Sequence, residues 1–381
     1  MVDAGGLEVS EIREPAERRE MALFPWQVYQ GDRNWVPPLI KDRLSQLDPD
    51  GNPFFRTADV ALFVARRLGR AVGTIAAFVD RRFNEFSKQN LGQFGYFEVL
   101  DDERAAHALL ARTKVWLQER GVSEMRGPIN FHRDRERGIL VDGADCPPPM
   151  MCAHSPRYYA PMIERFGMSK YADDLARRLF CDRVLLPDGS LPPRMARLQK
   201  VAERRTRLVI RPARLADWDA EVERVRAVYD ATINQMPDHA PWSDEDLATF
   251  AHHLRPFVDP EFCLFGEIDG KTVGVALAFP DLNQVLIHLN GRTDGFNKLR
   301  AWWYWRRIRV LSFKVGGVID QFQGLGIEAL FMLEIAKRAV AKRYRWVDMS
   351  LQAENNDKIN TLVSHFGAEE YKRYRLYTMK V

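Results

Sequence analysis

The chain has 381 residues, a length that fits two domains of roughly 150 residues each. Hydrophobic residues make up 46% of it and charged residues 28%, which excludes a fully disordered chain. The formal net charge of +4 is too small to indicate nucleic-acid binding. The four cysteines form no Cys-x-x-Cys pair and have no histidine pattern beside them. Neither a metal site nor a redox motif is therefore predicted, and a reduced, cytoplasmic compartment is favoured.

The N-terminal segment 1–20 is polar and contains several acids, so it lacks the apolar core of a signal peptide. No apolar run reaches the roughly 18 residues that a membrane-spanning helix needs. We therefore expect a cytoplasmic protein, and any contact with the inner face of the membrane is expected to be peripheral.

The first half of the chain shows strand and helix patterns in a definite order. Residues 61–80 predict a hairpin-like pair of strands around a glycine, and 92–100 predicts a further strand. A helix follows over 103–121. A second helix is predicted over 155–168, with Ser155 as its cap.

The second half repeats this order. Its predicted elements are a strand at 208–213, a helix over 217–233, a hairpin around Asp269-Gly270, a strand at 309–318, a long helix from Ile327, a strand at 346–351 and a helix ending at Gly367. In both halves the last helix ends in Phe-Gly. We infer a tandem duplication with one degenerate copy, and chance similarity of two α/β patterns is the alternative.

The segment between the two halves is rich in proline and arginine. Residues 181–206 predict a linker, so that the domains are 1–180 and 207–381. A surface crossover inside one domain is the alternative.

The strongest local motif is a glycine turn between a predicted strand and a long helix. It consists of Gln323, Gly324, Leu325, Gly326 and Ile327. A helix N-terminus carries unpaired N–H groups and partial positive charge, and glycines let a phosphate approach the backbone. The motif lacks the spacing of a Rossmann turn and the Gly-Lys-Ser/Thr of a P-loop. The motif therefore indicates a site for the pyrophosphate of some other ligand. A nonspecific glycine turn is the alternative.

This motif resembles the acyl-CoA loop of the GNAT N-acyltransferases, and the resemblance covers the whole second half. It implies an α/β (α+β) fold with two GNAT-like mixed-sheet halves in tandem, the first degenerate. It also implies acyl-CoA as cosubstrate and no metal. On the matching positions, the backbone at Gly317 and Val318 would face the thioester. Asn356 would lie at the start of the last helix, which is also part of the motif.

Several longer stretches of the sequence restrict the resemblance to a smaller group of proteins. Residues 24–39, 156–168 and 276–292 are similar to a bacterial group of double-GNAT proteins that includes ceramide synthases. Members of that kind N-acylate a sphingoid base with an acyl-CoA. The resemblance therefore implies a long-chain amine as acceptor.

The sequence departs from the family at two positions. The last glycine or alanine of the loop is Glu328, and the tyrosine that commonly protonates the leaving thiolate is replaced by Val363. Another residue or water is then the acid, or this half does not catalyse. In the first half the loop position carries Asp101, Asp102 and Glu103, and three carboxylates would repel a pyrophosphate. We expect one acyl-CoA per chain, bound by the second half. The first half would shape the acceptor site or serve as scaffold.

Acyl transfer to an amine needs a base, because an ammonium is not a nucleophile. The candidates are Asp281 and His288, in a stretch predicted to be extended, and Glu98 on a strand of the first half. Asn283 and Asn290 are candidate acceptor-binding amides. Each has a purely structural alternative: a turn residue for Asp281 and a packed histidine for His288.

An insertion at 291–309 concentrates aromatic and basic residues, among them Trp302, Trp303 and Trp305. Indole rings and arginines together suit an anionic membrane surface. A structural helix packed between the halves is the alternative.

The sequence thus predicts an N-acyltransferase that uses acyl-CoA to acylate a long-chain base. The first alternative is a soluble GNAT acetyltransferase acting on a small or peptide amine. The second is a non-catalytic CoA-binding or interaction protein.

Overall fold

The structure, a computed structural model, describes residues 6–131, 135–186, 188, 190–205, 207–232 and 239–381, without side chains at 194, 198 and 202–205. The chain forms two compact units. Unit 1 consists of the residues through Leu175 together with Val285–Tyr304 and Lys372–Val381. Unit 2 consists of Ala176–Gln284 and Trp305–Tyr371.

Strands and helices alternate in both units, which confirms the predicted α/β class. The strands are β1 (Leu7–Glu11), β2 (Ala58–Arg67), β3 (Arg70–Asp80), β4 (Leu91–Val99), β5 (Glu124–Gly127), β6 (Ile139–Asp142), β7 (Ser169–Phe180), β8 (Val209–Pro212), β9 (Cys263–Ile268), β10 (Lys271–Pro280), β11 (Val310–Val318), β12 (Trp346–Ala353) and β13 (Glu369–Lys380).

The helices are α1 (Pro15–Leu23), α2 (Pro25–Val28), α3 (Ile40–Gln46), α4 (Phe54–Thr57), α5 (Arg81–Ser87), α6 (Glu103–Gln118), α7 (Tyr159–Arg165), α8 (Cys181–Val184), α9 (Pro193–Arg205), α10 (Trp218–Thr232), α11 (Asp244–Leu254), α12 (Asn283–Leu286), α13 (Gly295–Trp305), α14 (Ile327–Ala341) and α15 (Asp357–His365). The predicted end of the helix at residue 233 lies outside the described residues.

Unit 1 is built on the antiparallel series β1-β2-β3-β4, which continues through β5 to β13. The pairing of β4 with β5 is parallel and covers Leu91–Gln93 against Glu124–Arg126. Helix α6 buries Leu109, Leu110 and Leu117 in the apolar core of this unit. Leucine and alanine at helical spacing explain why this segment forms a helix with one buried face.

Unit 2 repeats the arrangement with β8-β9-β10-β11 antiparallel and β11-β12 parallel. Helix α14 buries Ile327, Leu330 and Phe331 in the core of the unit. The β10-β11 register shifts beside Leu277, which leaves Lys314 as an extra residue on β11. Such a bulge bends the strand and re-aims its side chains.

The order hairpin, bulged strand, helix, parallel strand is thus common to both units. In unit 1 the β3-β4 register also shifts, just after Thr74. The repetition supports the inferred duplication. The domain boundaries drawn from the sequence remain a prediction, because the units are interleaved along the chain. The described residues of 181–206 include α8 and α9, in unit 2.

Two local predictions were wrong. The helix predicted over 155–168 is only α7, and the Ser155 hydroxyl accepts a hydrogen bond from the Leu140 amide (3.2 Å) rather than capping a helix. The stretch after Pro280, predicted to be extended, turns at once into α12. Its Asp281 carboxylate accepts the Asn283 amide (3.2 Å), a local bond that favours a turn over a strand.

Candidate functional site

The glycine turn of unit 2 joins the end of β11 to the start of α14. Gly324 and Gly326 have φ angles of 74° and 88°, in the left-handed region that favours glycine. Gly326 is the residue before α14, and no side chain caps this helix end among the described residues. The first N–H groups of an α-helix have no partner within the helix. This end of α14 therefore presents free donors and the positive end of a helix dipole.

Contacts within the loop fix its shape. The Gln323 side-chain amide donates to the Val318 carbonyl (3.1 Å), and the Gln323 backbone amide donates to the Asp320 carbonyl (3.1 Å). Leu325 and the fully buried Ile327 pack on the core of the unit and anchor the helix. Gln323 thus links the loop to β11. Its carboxamide oxygen accepts a hydrogen bond from the Lys358 ammonium (3.4 Å). Lys358, which the sequence analysis missed, adds a cation at the loop.

Strands β11 and β12 separate on the way to this loop. Their pairing covers Val310–Ser312 against Trp346–Asp348, although β11 continues to Val318. Gly317 lies opposite Val275 of β10, and Val318 is buried. Among the described residues, no strand pairs with the edge of β11 beyond Ser312 that faces away from β10, so its backbone there could bind a ligand that lies along the strand.

A buried polar cluster occupies the point where the two strands separate. The fully buried Asp348 carboxylate accepts hydrogen bonds from Ser312 (2.6 Å), Ser350 (2.7 Å), Lys314 (3.2 Å) and Tyr371 (2.8 Å). The Lys314 ammonium also donates to the Ser350 hydroxyl (2.8 Å). The bulge on β11 is what turns Lys314 toward β12, and no sequence pattern signals it.

The last helix of unit 2 begins at the predicted asparagine. The Asn356 side chain accepts the Ile359 amide (3.3 Å) and so caps α15. Val363, at the family's tyrosine position, is buried in the apolar core. Neither position supplies an acid for a leaving thiolate.

Of the predicted base and amide candidates between β10 and α13, Asn283 begins α12 and the others lie in the turns around it. Asp281 is buried, and its amide donates to the Val310 carbonyl (3.0 Å). The His288 ring stacks on Tyr304 with 3.6 Å between centroids, and burial, followed by the nearby Arg300 charge, lowers the pKa of His288. The Asn290 side chain accepts the Trp26 indole N–H (2.8 Å), which fastens this turn within unit 1.

Glu98 of unit 1 lies on β4 opposite Thr74 and is half-buried. The Tyr159 hydroxyl donates to its carboxylate (2.9 Å). Burial is the main cause that raises the pKa of Glu98 to about 7. This carboxyl thus combines partial accessibility with a pKa near neutrality.

The equivalent of the glycine turn in unit 1 is closed. The Asp102 carboxylate accepts the Ala105 amide (3.1 Å) and thereby caps α6, and it also pairs with Arg67 (2.8 Å). The backbone after β5 fills the gap beside β4, since the Ile129 amide donates to the Phe94 carbonyl (2.7 Å). A Cβ on Gly95 would lie 1.8 Å from the Ile129 oxygen. Unit 1 therefore has neither a free helix end nor an open strand edge at this place.

The predicted aromatic insertion forms α13, in which none of the residues is buried. Phe296, Leu299 and Trp302 are 73%, 61% and 55% exposed, and Trp303 is also exposed. At 100° per residue these four side chains share one face. Trp305 lies elsewhere on the helix, 5.8 Å from the Phe257 ring.

Comparison with known proteins finds relatives that match nearly the whole chain. The chain is 28% identical to the bacterial ceramide synthase of Caulobacter vibrioides, over 97% of each protein. It is 29% identical to protein YghO of Escherichia coli, over 94% of this chain and 91% of that protein. No family model matches the chain.

Solved structures show the same fold over almost the entire chain. A GCN5-related N-acetyltransferase from Sphaerobacter thermophilus superposes with a TM-score of 0.53 at 14% identity, covering 100% of this chain and 97% of its own. A tandem GNAT protein from the clavulanic acid biosynthesis pathway gives 0.55 at 13% identity and covers 98% of both chains. The chain has a tandem GNAT fold. The predicted fold class and the resemblance are thereby confirmed.

Two further findings concern the described part of the chain. It contains no helix with the length and apolar character needed to cross a membrane. It also contains no cluster of three or more histidine, cysteine or acidic side chains suited to a metal ion.

Proposed function

We propose that the chain is an acyl-CoA-dependent N-acyltransferase that acylates the amine of a long-chain base. The observation that carries the proposal is the contrast between the two units. Unit 2 has the glycine turn, the uncapped start of α14 and the open edge of β11. In unit 1 a carboxylate caps the matching helix end and the chain itself fills the matching gap. One acyl-CoA per chain, on unit 2, is the arrangement that these features favour.

The residues present suit that cosubstrate. The N–H groups from Gly324 to the start of α14, with the Lys358 ammonium, would hold the pyrophosphate. The β11 backbone at Gly317 and Val318 would lie along the pantetheine arm and offer donors to the thioester oxygen. Asn356 would contribute by holding the start of α15 beside the loop. Asp281, His288 and Glu98 remain the proposed bases, and burial brings the pKa of Glu98 to about 7, near the pH at which a general base works best.

The acceptor class rests on sequence similarity. The full-length relative from Caulobacter vibrioides bears the name bacterial ceramide synthase. The 28% identity extends over 97% of each protein and so includes both units, which supports a sphingoid-type amine as acceptor. A soluble acetyltransferase and a non-catalytic CoA-binding protein remain the alternatives, the latter because Val363 cannot act as an acid.

A lipid acceptor would be met at a membrane, and α13 offers a surface for it. Its exposed apolar face has cationic neighbours such as Lys298 and Arg300, and 295–319 contains no acidic residue. Anionic headgroups and interfacial indoles would both be accommodated. We therefore propose peripheral association with the cytoplasmic face of an anionic membrane.

Thiol release with product identification by mass spectrometry tests the function. Palmitoyl-CoA and acetyl-CoA would each be offered with sphinganine and with a soluble polyamine. Amide formation with palmitoyl-CoA and sphinganine alone is the expected result. Acetylation of the polyamine would establish the first alternative. Tight CoA binding without amide from any pair would favour the non-catalytic one.

A further inference from the structure

Unit 1 holds two opposite charges in its interior that do not pair with each other. Arg43 on α3 is 5% exposed, and Glu98 on β4 is half-buried. Among the described residues, neither forms an ion pair. A buried charge normally has a partner, because its removal from water is costly. A ligand that supplies a partner for each of the two side chains would explain why neither forms an ion pair.

Within the described residues, no side-chain hydrogen-bond acceptor is found for Arg43. Its guanidinium carbon lies 4.4 Å from the centre of the Tyr96 ring, a cation–π contact. Its Nε atom is buried without a partner in the described structure. Arginine donors are rarely left unused in a protein interior, so an oxygen acceptor belongs beside this side chain.

The carboxyl is oriented by two phenols with distinct roles. The Tyr159 hydroxyl accepts the Val99 amide (2.8 Å), so its own hydrogen is directed to Glu98. The Tyr29 hydroxyl, which also faces Glu98, donates its hydrogen to the His154 carbonyl (2.8 Å). Tyr29 can therefore accept a hydrogen bond from protonated Glu98 but does not donate one to it. This pair of phenols accommodates both protonation states of the carboxyl.

The charged groups around Glu98 have opposing effects on the balance between its ionised and its protonated form. Besides the phenols, the groups that face it are Arg43, which favours its ionised form, and Glu136, which disfavours it. A carboxyl in such a place can bind an ammonium as an anion and keep the proton that the ammonium releases.

We propose that Glu98 and Arg43 form the head-group site for the acceptor of the proposed function, Glu98 for its amine and Arg43 for an oxygen on a neighbouring carbon. The Glu98 carboxylate binds the ammonium. One N–H bond then breaks and an O–H bond forms on Glu98, which leaves a neutral amine with its lone pair. The Arg43 guanidinium binds the neighbouring oxygen. This proposal rests on the proposed function and adds the residues that bind the head group.

Calorimetry without acyl-CoA tests the site with two probes of equal chain length, a short-chain 2-amino-1,3-diol and the corresponding n-alkylamine. Glu98→Gln is expected to weaken both probes about 10-fold or more, since it removes the charged partner of the ammonium. Arg43→Met is expected to weaken the aminodiol by a similar factor and the alkylamine by less than about twofold. The exposed Glu119→Gln and Arg19→Met serve as matched controls.

Three results would overturn the site: wild-type protein that does not bind the aminodiol, variants that bind both probes like wild type, or an Arg43→Met variant that loses both probes equally. Thermal melts identify variants that fail to fold. Tyr159→Phe, which keeps the packing and removes one donor to Glu98, provides a second, milder test and should shift the pH dependence of amine binding upward. Amide formation is measured separately. If no amine is acylated but the probes are still discriminated, the proposed function fails and the site stands.

Discussion

Replacing Gly324 by glutamate separates the backbone requirement of the glycine turn from its electrostatics. A Cβ at Gly324 would meet no atom within 4 Å, so steric clash is not the obstacle. The φ of 74° costs a non-glycine residue about 1–2 kcal/mol. Alanine incurs only this cost, whereas glutamate adds a negative charge where the pyrophosphate is proposed to bind. A like charge at about 4–5 Å costs roughly 1–4 kcal/mol between bulk water and a protein surface.

Isothermal calorimetry with CoA measures this difference. We expect Gly324→Ala to keep most of the affinity and Gly324→Glu to lose about 30-fold or more, which corresponds to about 2 kcal/mol. Both variants should melt at nearly the same temperature, because they share the backbone strain. Equal CoA affinities for the two variants would refute the assignment of the loop as a phosphate site. A loss in both would show that the loop conformation, not its charge, controls binding.

Three further predictions concern other parts of the chain. Asp348→Ala should lower the free energy of unfolding by about 3–5 kcal/mol, because it leaves the Lys314 ammonium buried without its carboxylate; chemical denaturation checks this, and a change below about 1 kcal/mol would contradict it. The double change Trp302→Ala and Trp303→Ala should release the protein from phosphatidylglycerol-containing vesicles in cosedimentation, with neutral vesicles as control; unchanged binding would make α13 a structural helix. The pKa of Glu98 is raised to about 7 in the folded state, so its contribution to stability is fully present below about pH 4.5 and is lost as the pH rises to about 7. Glu98→Gln should therefore melt progressively higher relative to wild type across this interval and keep a constant difference above it, and a pH-independent difference would show that Glu98 titrates normally.

Periodicity and turn residues were sufficient to predict most of the elements. The hairpin around Asp269-Gly270, the long helix from Ile327 and the strand before it all appear in the structure. These segments follow from local sequence patterns that tertiary contacts do not override. The glycine turn was likewise visible, because its positive φ angles restrict the choice of residue.

Features that depend on tertiary contacts were not predictable. The segment after Pro280 alternates like a strand, but hydrogen bonds of the Asp281 side chain and backbone turn it into α12. The bulge that directs Lys314 at Asp348 depends on the register between β10 and β11, which no single strand encodes. Lys358 carries no local signal either, since only the folded chain brings it to Gln323.

The repeated architecture allows the two units to be compared position by position. Gly73 pairs with Val99 in unit 1 as Gly274 pairs with Val318 in unit 2. In this register, the residue preceding each valine is Glu98 in one unit and Gly317 in the other.

The same strand position thus carries a carboxyl in one unit and bare backbone in the other. The segments that join these strands to the next helix also differ in the charge that they present. Residues 100–102 lead directly to a helix capped by a carboxylate, whereas 319–326 form a glycine turn before an uncapped helix. A phosphate requires the second arrangement and is repelled by the first, and an ammonium is attracted to a carboxyl in an apolar setting. Divergence of the two copies toward opposite charges is what a transferase with an anionic donor and a cationic acceptor would need. If Glu98→Gln left acceptor binding intact and Gly324→Glu left CoA binding intact, this division of roles between the units would be wrong.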